Sequence, residues 1–476
     1  VNEKIQQNRE AWKALLYKAL PFSEAVSVEL PLSRLLRLSL FQVSCGMAMV
    51  LLSGTLNRVM IVELNVPAWL VALMVALPLV FAPFRALIGF RSDHHKSAIG
   101  WRRVPYIWMG SLLQFGGLCI MPFALLLLSG DGNAPMWVAQ IAAALAFLLT
   151  GLGLHTTQTA GLALATDIAP ENTRPQVVAV LYITLLLGMV VSAIVFSLVL
   201  TNFTQIKLIG AVQGAAVVTI VLNCIALWKQ ESRQPNRNFN ATRPPFNEAW
   251  YSYVKAANGY RFLVATVLGT AGFTMQDILL EPYGGEILNL SVSGTTALTA
   301  LLAGGSLMAF VYAAYKLKRN ADPTRVAAAG ILIGILAFSI VIFSEPLNSP
   351  NMFRVGTTLI GFGGGLFGVS TLIFAMTNVD KEHRGLSLGA WGAAQATAAG
   401  VGVAIGGFLR DFINSLSSQG LLGEALSDAA AGYIVVYHFE IALLFTSLIA
   451  IGPLCNRRQA HTSTSQPFNL AEFPNN

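Results

Sequence analysis

Charge is what this chain has least of. Asp, Glu, Lys and Arg together make up 11% of its 476 residues, less than half the ~25% of an average soluble domain. So few charges cannot cover a water-facing surface, which excludes a soluble multi-domain enzyme, a disordered chain and a coiled coil. Cys45, Cys119, Cys224 and Cys455 stand far apart, in apolar stretches or at their edges, without metal or redox spacing, which excludes a disulfide-built secreted module. The sequence has no phosphate-binding glycine loop, zinc-protease motif or nucleophile elbow, so nothing in it supports catalysis. Apolar residues, by contrast, reach 55%, with a mean hydropathy of +0.62, the composition of an all-α polytopic membrane protein.

Ten charge-free stretches are long enough to cross the hydrocarbon, for which about 20 residues are needed. They run 38–57, 64–84, 104–130, 132–166, 175–206, 208–228, 287–315, 326–344, 355–379 and 385–409. Two more, 262–284 and 430–455, carry acids: Asp277 and Glu281 in the first, Glu440 in the second. The count predicts twelve transmembrane helices. Of the 30 Lys and Arg, 26 fall on one side of these spans, and only Arg58, Lys207, Arg354 and Arg410 on the other. Positive residues are retained on the cytoplasmic side, so both termini are expected there. The net charge of +7 then belongs to a face that meets anionic lipid, and no nucleic-acid partner is expected. The first 32 residues hold no apolar core behind a basic start, so no cleavable signal peptide is expected in them.

The expected organisation is a cytoplasmic arm over 1–33, with an interfacial helix at Glu10–Leu20, and a six-helix bundle over 34–229. A polar linker over 230–258, a second six-helix bundle over 259–456 and a cytoplasmic tail over 457–476 follow. At an offset of 211 residues the halves match, Gly151-Leu-Gly over Phe362-Gly-Gly and Ala165-Thr-Asp-Ile over Met376-Thr-Asn-Val. Repetition of a six-helix unit is the trace of folds whose two bundles rock about a centre. Between spans 2 and 3, Gly89, Asp93, Gly100, Arg102 and Arg103 resemble the loop signature of the major facilitator superfamily, with more residues than usual between Asp93 and Gly100. That resemblance implies the major facilitator fold.

Longer runs are more specific: Leu30–Gln42 (LPLSRLLRLSLFQ), Gly54–Glu63 (GTLNRVMIVE), Phe84–Asp93 (FRALIGFRSD), Gly100–Trp108 (GWRRVPYIW) and Gln276–Gly285 (QDILLEPYGG). Together they resemble the bacteriochlorophyll delivery family, the PucC-type and LhaA-type proteins of purple phototrophic bacteria. The resemblance implies an assembly factor for light-harvesting complexes in the intracytoplasmic photosynthetic membrane, not an enzyme. It would handle bacteriochlorophyll, with antenna alpha and beta polypeptides and pigment-synthesis enzymes as partners. It does not say whether carotenoid is bound.

Ionisable groups within spans cost enough to be functional candidates by default. Asn57 and Arg58 in span 1, with Gln276, Asp277 and Glu281 in span 7, sit toward the same ends of equivalent helices. An Arg58 pair with Asp277 or Glu281, four apart and so on one helical face, would close that end; separate capping and hydration is the alternative. Glu440 in span 12 should be buried against a neighbour, hydrogen-bonded while protonated, or covered by a partner or pigment. A magnesium chlorin needs one axial donor, commonly imidazole, and only His155 and His438 lie within spans. Around His155 the glycines Gly151, Gly153 and Gly161 leave room for a ligand or serve tight helix packing. Two functions stay open: antenna assembly through lateral apolar surface, and secondary transport of a small amphipathic solute through a central cavity.

Overall fold

The computed structural model describes residues 31–80, 101, 103–130, 135–170, 173–231, 259–319, 321–377, 384–423 and 429–455. The N-terminal arm, most of the central linker, the C-terminal tail and Gly89, Asp93, Gly100 and Arg102 lie outside them. The described elements are helical: α1 Leu32–Glu63, α2 Ala68–Val80, α3 Val104–Leu128, α4 Met136–Ile168, α5 Arg174–Val199, α6 Gln205–Leu227, α7 Gly259–Glu286, α8 Val292–Lys318, α9 Pro323–Ser344, α10 Pro350–Thr377, α11 Arg384–Ser418 and α12 Ala431–Cys455. Eleven are long and apolar enough to cross a membrane, while α2 is described over 13 residues. Polar residues start the helices where the pattern breaks. Ser291 accepts the Gly294 N–H at 3.1 Å to cap α8, and Asp322 accepts the Thr324 N–H at 2.9 Å to cap α9, satisfying donors a helix leaves unpaired.

Lipid supplies no hydrophobic drive between helices, so small residues that permit close approach must do the packing. In α4, Ala139, Ala143 and Ala146 recur at helical spacing with no exposed surface, followed by Thr150 and Gly153. This stripe seats α4 on α3, where a Cβ on Gly153 would lie 2.5 Å from the Gly110 carbonyl oxygen. The α9–α10 pair repeats the arrangement in the second half, as the match of spans 4 and 10 requires. Between halves the main contacts are α2 with α11 and α5 with α8. Under a six-helix repeat these two interfaces are images of each other, which is the mark of a pseudo-two-fold axis.

Helix α1 runs further than the charge-free span 38–57, through Arg58 to Glu63. It contains two π-helical segments, Val50–Thr55 and Val59–Glu63. Arg58 is thereby inside a transmembrane helix and 4% exposed, rather than in a loop.

Candidate functional site

Helix α7 is broken. Its first α segment ends at Thr274, Met275–Ile278 form a 3₁₀ turn, and Leu280–Glu286 resume the α-helix. The tighter turn shifts the register and parts Asp277 from Glu281, which correctly α-helical spacing would have placed on one face. Asp277 is half-buried at a cavity, whereas Glu281 is 3% exposed and accepts from the Thr299 hydroxyl of α8. The break needs a partner for its backbone, and α12 provides one. Glu440, with no exposed surface, accepts the Gln276 N–H at 2.6 Å. Glu440 is thus buried against a neighbouring helix and hydrogen-bonded to it, as two of the expectations had it. Glu440→Leu should therefore lower the unfolding free energy in detergent by about 1–3 kcal/mol, the cost of a buried orphan donor. Glu440→Gln, which keeps an acceptor oxygen, should recover most of it; equal losses in both variants would show that the N–H does not depend on this oxygen.

Arg58 makes no direct contact with the Asp277 or Glu281 carboxylate, although it lies near enough for its charge to act on Glu281. Arg58 instead pairs with Glu63 of its own helix and donates to the Leu290 carbonyl oxygen at 3.2 Å. The π-helical turn explains the choice. Leu64 N–H bonds to the Val59 carbonyl oxygen five residues back at 3.0 Å, so residues five apart come into register, where α-helical reasoning looks only three or four ahead. Asn57 is the residue of α1 that reaches α7, donating to the Asp277 carbonyl oxygen at 3.2 Å.

These contacts belong to a layer that closes one end of the molecule. Thr55 meets Thr296 at 3.2 Å, Ser197 donates to the Ser293 carbonyl oxygen at 2.9 Å, and Trp69 N–H donates to Asp411 at 2.7 Å. Together with Asn57 and Arg58 they hydrogen-bond one half to the other. All lie at the end where α1 finishes. Behind them is a charged cluster that the sequence reading passed over. Arg410 of α11 contacts Glu286 of α7 at 2.6 Å and Asp411 at 2.7 Å, and Tyr433 of α12 donates to Glu286 at 2.7 Å. The adjacent opposite charges Arg410-Asp411, ending a long apolar run, were its sequence signal.

At the other end, Arg103 pairs with Asp167 of α4 at 3.0 Å, and Glu231 accepts the backbone N–H groups of Arg103 and Val104 at 2.9–3.1 Å. The chain leaving α6 thus caps α3. His155 is half-buried in α4. Its flanking glycines serve helix packing, Gly151 facing Pro78, Gly153 facing α3 and Gly161 facing Phe41. His438 differs, since it is exposed on the outer face of α12, opposite the buried Glu440.

Twelve helices in two related six-helix halves, closed together at one end, define a polytopic membrane protein of the major facilitator type. A nucleoside transporter, NupG, has the same fold, with a TM-score of 0.65 at 14% identity, covering 88% of this chain and 99% of that one. The family model described as PUCC protein matches residues 55–459, and the chain belongs to that family. It is 55% identical over 401 residues to Protein PucC of Rhodovulum sulfidophilum, covering 83% of this chain and 88% of the relative. An uncharacterized protein in the puhA-bchM intergenic region of Rhodobacter capsulatus is 51% identical over 462 residues, covering 96% and 97%.

Proposed function

We propose that this protein takes part in assembling light-harvesting complexes in a photosynthetic membrane, holding bacteriochlorophyll on its lipid-facing surface and assisting antenna alpha and beta polypeptides to oligomerise. Both termini are placed on the cytoplasmic side by the distribution of Lys and Arg. Pigment-synthesis enzymes would be the source of the pigment, and the protein itself would perform no catalysis.

The observation that carries this reading is the setting of His438. Its Nδ1 lies 2.8 Å from the Ile434 carbonyl oxygen, which can only accept, so Nδ1 is the donor and Nε2 is the nitrogen that the neutral ring would offer to a metal. A fixed tautomer of this kind is how proteins present an imidazole to a metal. Ala442, Phe445 and Ile449 continue the exposed face of α12 below it, and the alanine one turn away leaves a flat floor for a macrocycle. His438 would hold the pigment through its imidazole, with these residues beside it as an apolar wall. When bound, the pigment supplies a magnesium centre that accepts the imidazole. Arg58, Glu281 and Glu440, by contrast, are engaged in contacts within and between helices.

Deleting the gene should leave antenna polypeptide synthesis intact while the assembled near-infrared complex falls sharply. His438→Leu should reduce pigment co-purifying with the protein by about tenfold, the scale on which removing one strong contact acts. The transporter reading rests on the shared fold and the closed end. Energy-dependent accumulation of a small solute in reconstituted vesicles, with normal antenna in the deletion strain, would establish it instead.

A further inference from the structure

A cavity of about 170 Å³ lies beside the broken helix, and the residues that line it come from α7, α8, α10 and α11. Two features set it apart from a packing void. The first is charge. Among the described residues that line it, Asp277 is the one ionisable group, and none is a lysine, arginine or histidine. Thr270 and Gln276 also line it, each at most 5% exposed, and their Oγ1 and Oε1 have no hydrogen-bond partner. The Gln276 amide donates to Asp277 and to the Phe273 carbonyl oxygen, and Gln395 adds a neutral amide across the space, so the lining sets no positive side chain against the carboxylate. Such a lining asks for a ligand that brings hydrogens and positive charge.

The second feature is shape. The rings of Phe273 and Phe367, 5.9 Å apart, form an apolar wall, and aromatic faces attract cations. On the α10 side, Gly364 and Gly368 border the space. A Cβ there would meet nothing closer than 3.4 and 3.7 Å, whereas a Cβ on the neighbouring Gly365 would press on Ser306 of α8 at 2.8 Å. Gly364 and Gly368 are therefore not demanded by helix contact, and their effect is to keep the cavity open.

We propose that this cavity binds a small organic ammonium ion, with its charge on Asp277, its remaining donors on Gln276 and Thr270, and its hydrocarbon part against Phe273 and Phe367. The site is independent of the outward face of α12 and of the antenna reading, and its occupant is a water-soluble solute rather than a pigment.

The test uses the full-length protein in nanodiscs with butylammonium and benzylammonium as probes, against butanol and benzyl alcohol as neutral isosteres, and with sodium as a competitor. Calorimetry should show saturable binding of the ammonium ions, about tenfold or more tighter than the alcohols, as a charge-assisted hydrogen bond implies. Asp277→Asn should remove that preference, and Gly368→Leu, which fills the space without touching a charge, should abolish binding of all four probes. Equal affinity for ammonium ions and alcohols would overturn the proposal, as would sodium binding that ammonium ions do not displace, or unchanged binding in both variants. An antenna defect in the deletion strain bears on the function proposed above and leaves this result unaffected.

Discussion

Arg410→Leu is expected to destabilise the protein by about 1–3 kcal/mol, between the cost of breaking an exposed ion pair and that of breaking a buried one. The guanidinium is 12% exposed and holds three groups at once: Glu286 at 2.6 Å, Asp411 at 2.7 Å and the Tyr433 hydroxyl at 3.0 Å. Its loss leaves the Glu286 carboxylate, 26% exposed, with the Tyr433 hydroxyl as its remaining side-chain partner in the cluster. It also frees Asp411, the acceptor for Trp69 at the start of α2, so the damage should pass to the contact between halves. Two readouts follow. The unfolding midpoint in detergent should fall, and a cysteine placed at Thr296, a buried member of the closed layer, should react faster with a membrane-impermeant maleimide than the same cysteine with Arg410 present. Glu286→Gln combined with Arg410→Leu should cost less than the sum of the single changes, because the orphaned charge is gone. An unchanged midpoint together with unchanged labelling would mean that the cluster holds nothing together.

The fold was legible in the sequence because it follows from one property, the alternation of apolar stretches with basic loops. Even the two acid-bearing spans were found, since Glu440 and the pair Asp277 and Glu281 interrupt stretches that are otherwise apolar. Partner choice was not legible. It depends on departures from α-helical geometry, which composition does not report. The π turn in α1 brings Glu63 to Arg58, and the 3₁₀ turn in α7 parts Asp277 from Glu281. Once the register slips, the residues four apart are no longer neighbours, and the pairing expected from spacing fails. His438 and Glu440 show the converse. Helix α12 is regular there, and their separation by two residues correctly put them on different faces, one outward and one buried.

Gly361→Val should abolish the folded protein in the membrane, or leave only a small fraction of it, whereas Gly304→Ala should be silent. Helices α8 and α10 touch backbone to backbone at reciprocal glycines. A Cβ on Gly361 would overlap the Leu302 carbonyl oxygen of α8, and one on Gly305 would overlap the Thr358 carbonyl oxygen of α10. Neither obstacle is the tip of a flexible side chain, so one helix must move away from the other. Overpacking in a well-filled core already costs about 1–3 kcal/mol, and more when backbone must shift. Moving α10 also displaces Ser306, whose hydroxyl donates to the Gly361 carbonyl oxygen at 2.9 Å. Gly304, next in sequence to Gly305, faces open space with nothing within 4 Å, and alanine there should add helix propensity without a clash. Yield of monodisperse protein after detergent extraction separates the cases. Wild-type yield from Gly361→Val would mean that α8 and α10 are not in backbone contact, and equal losses from both changes would remove the distinction between the two glycine faces.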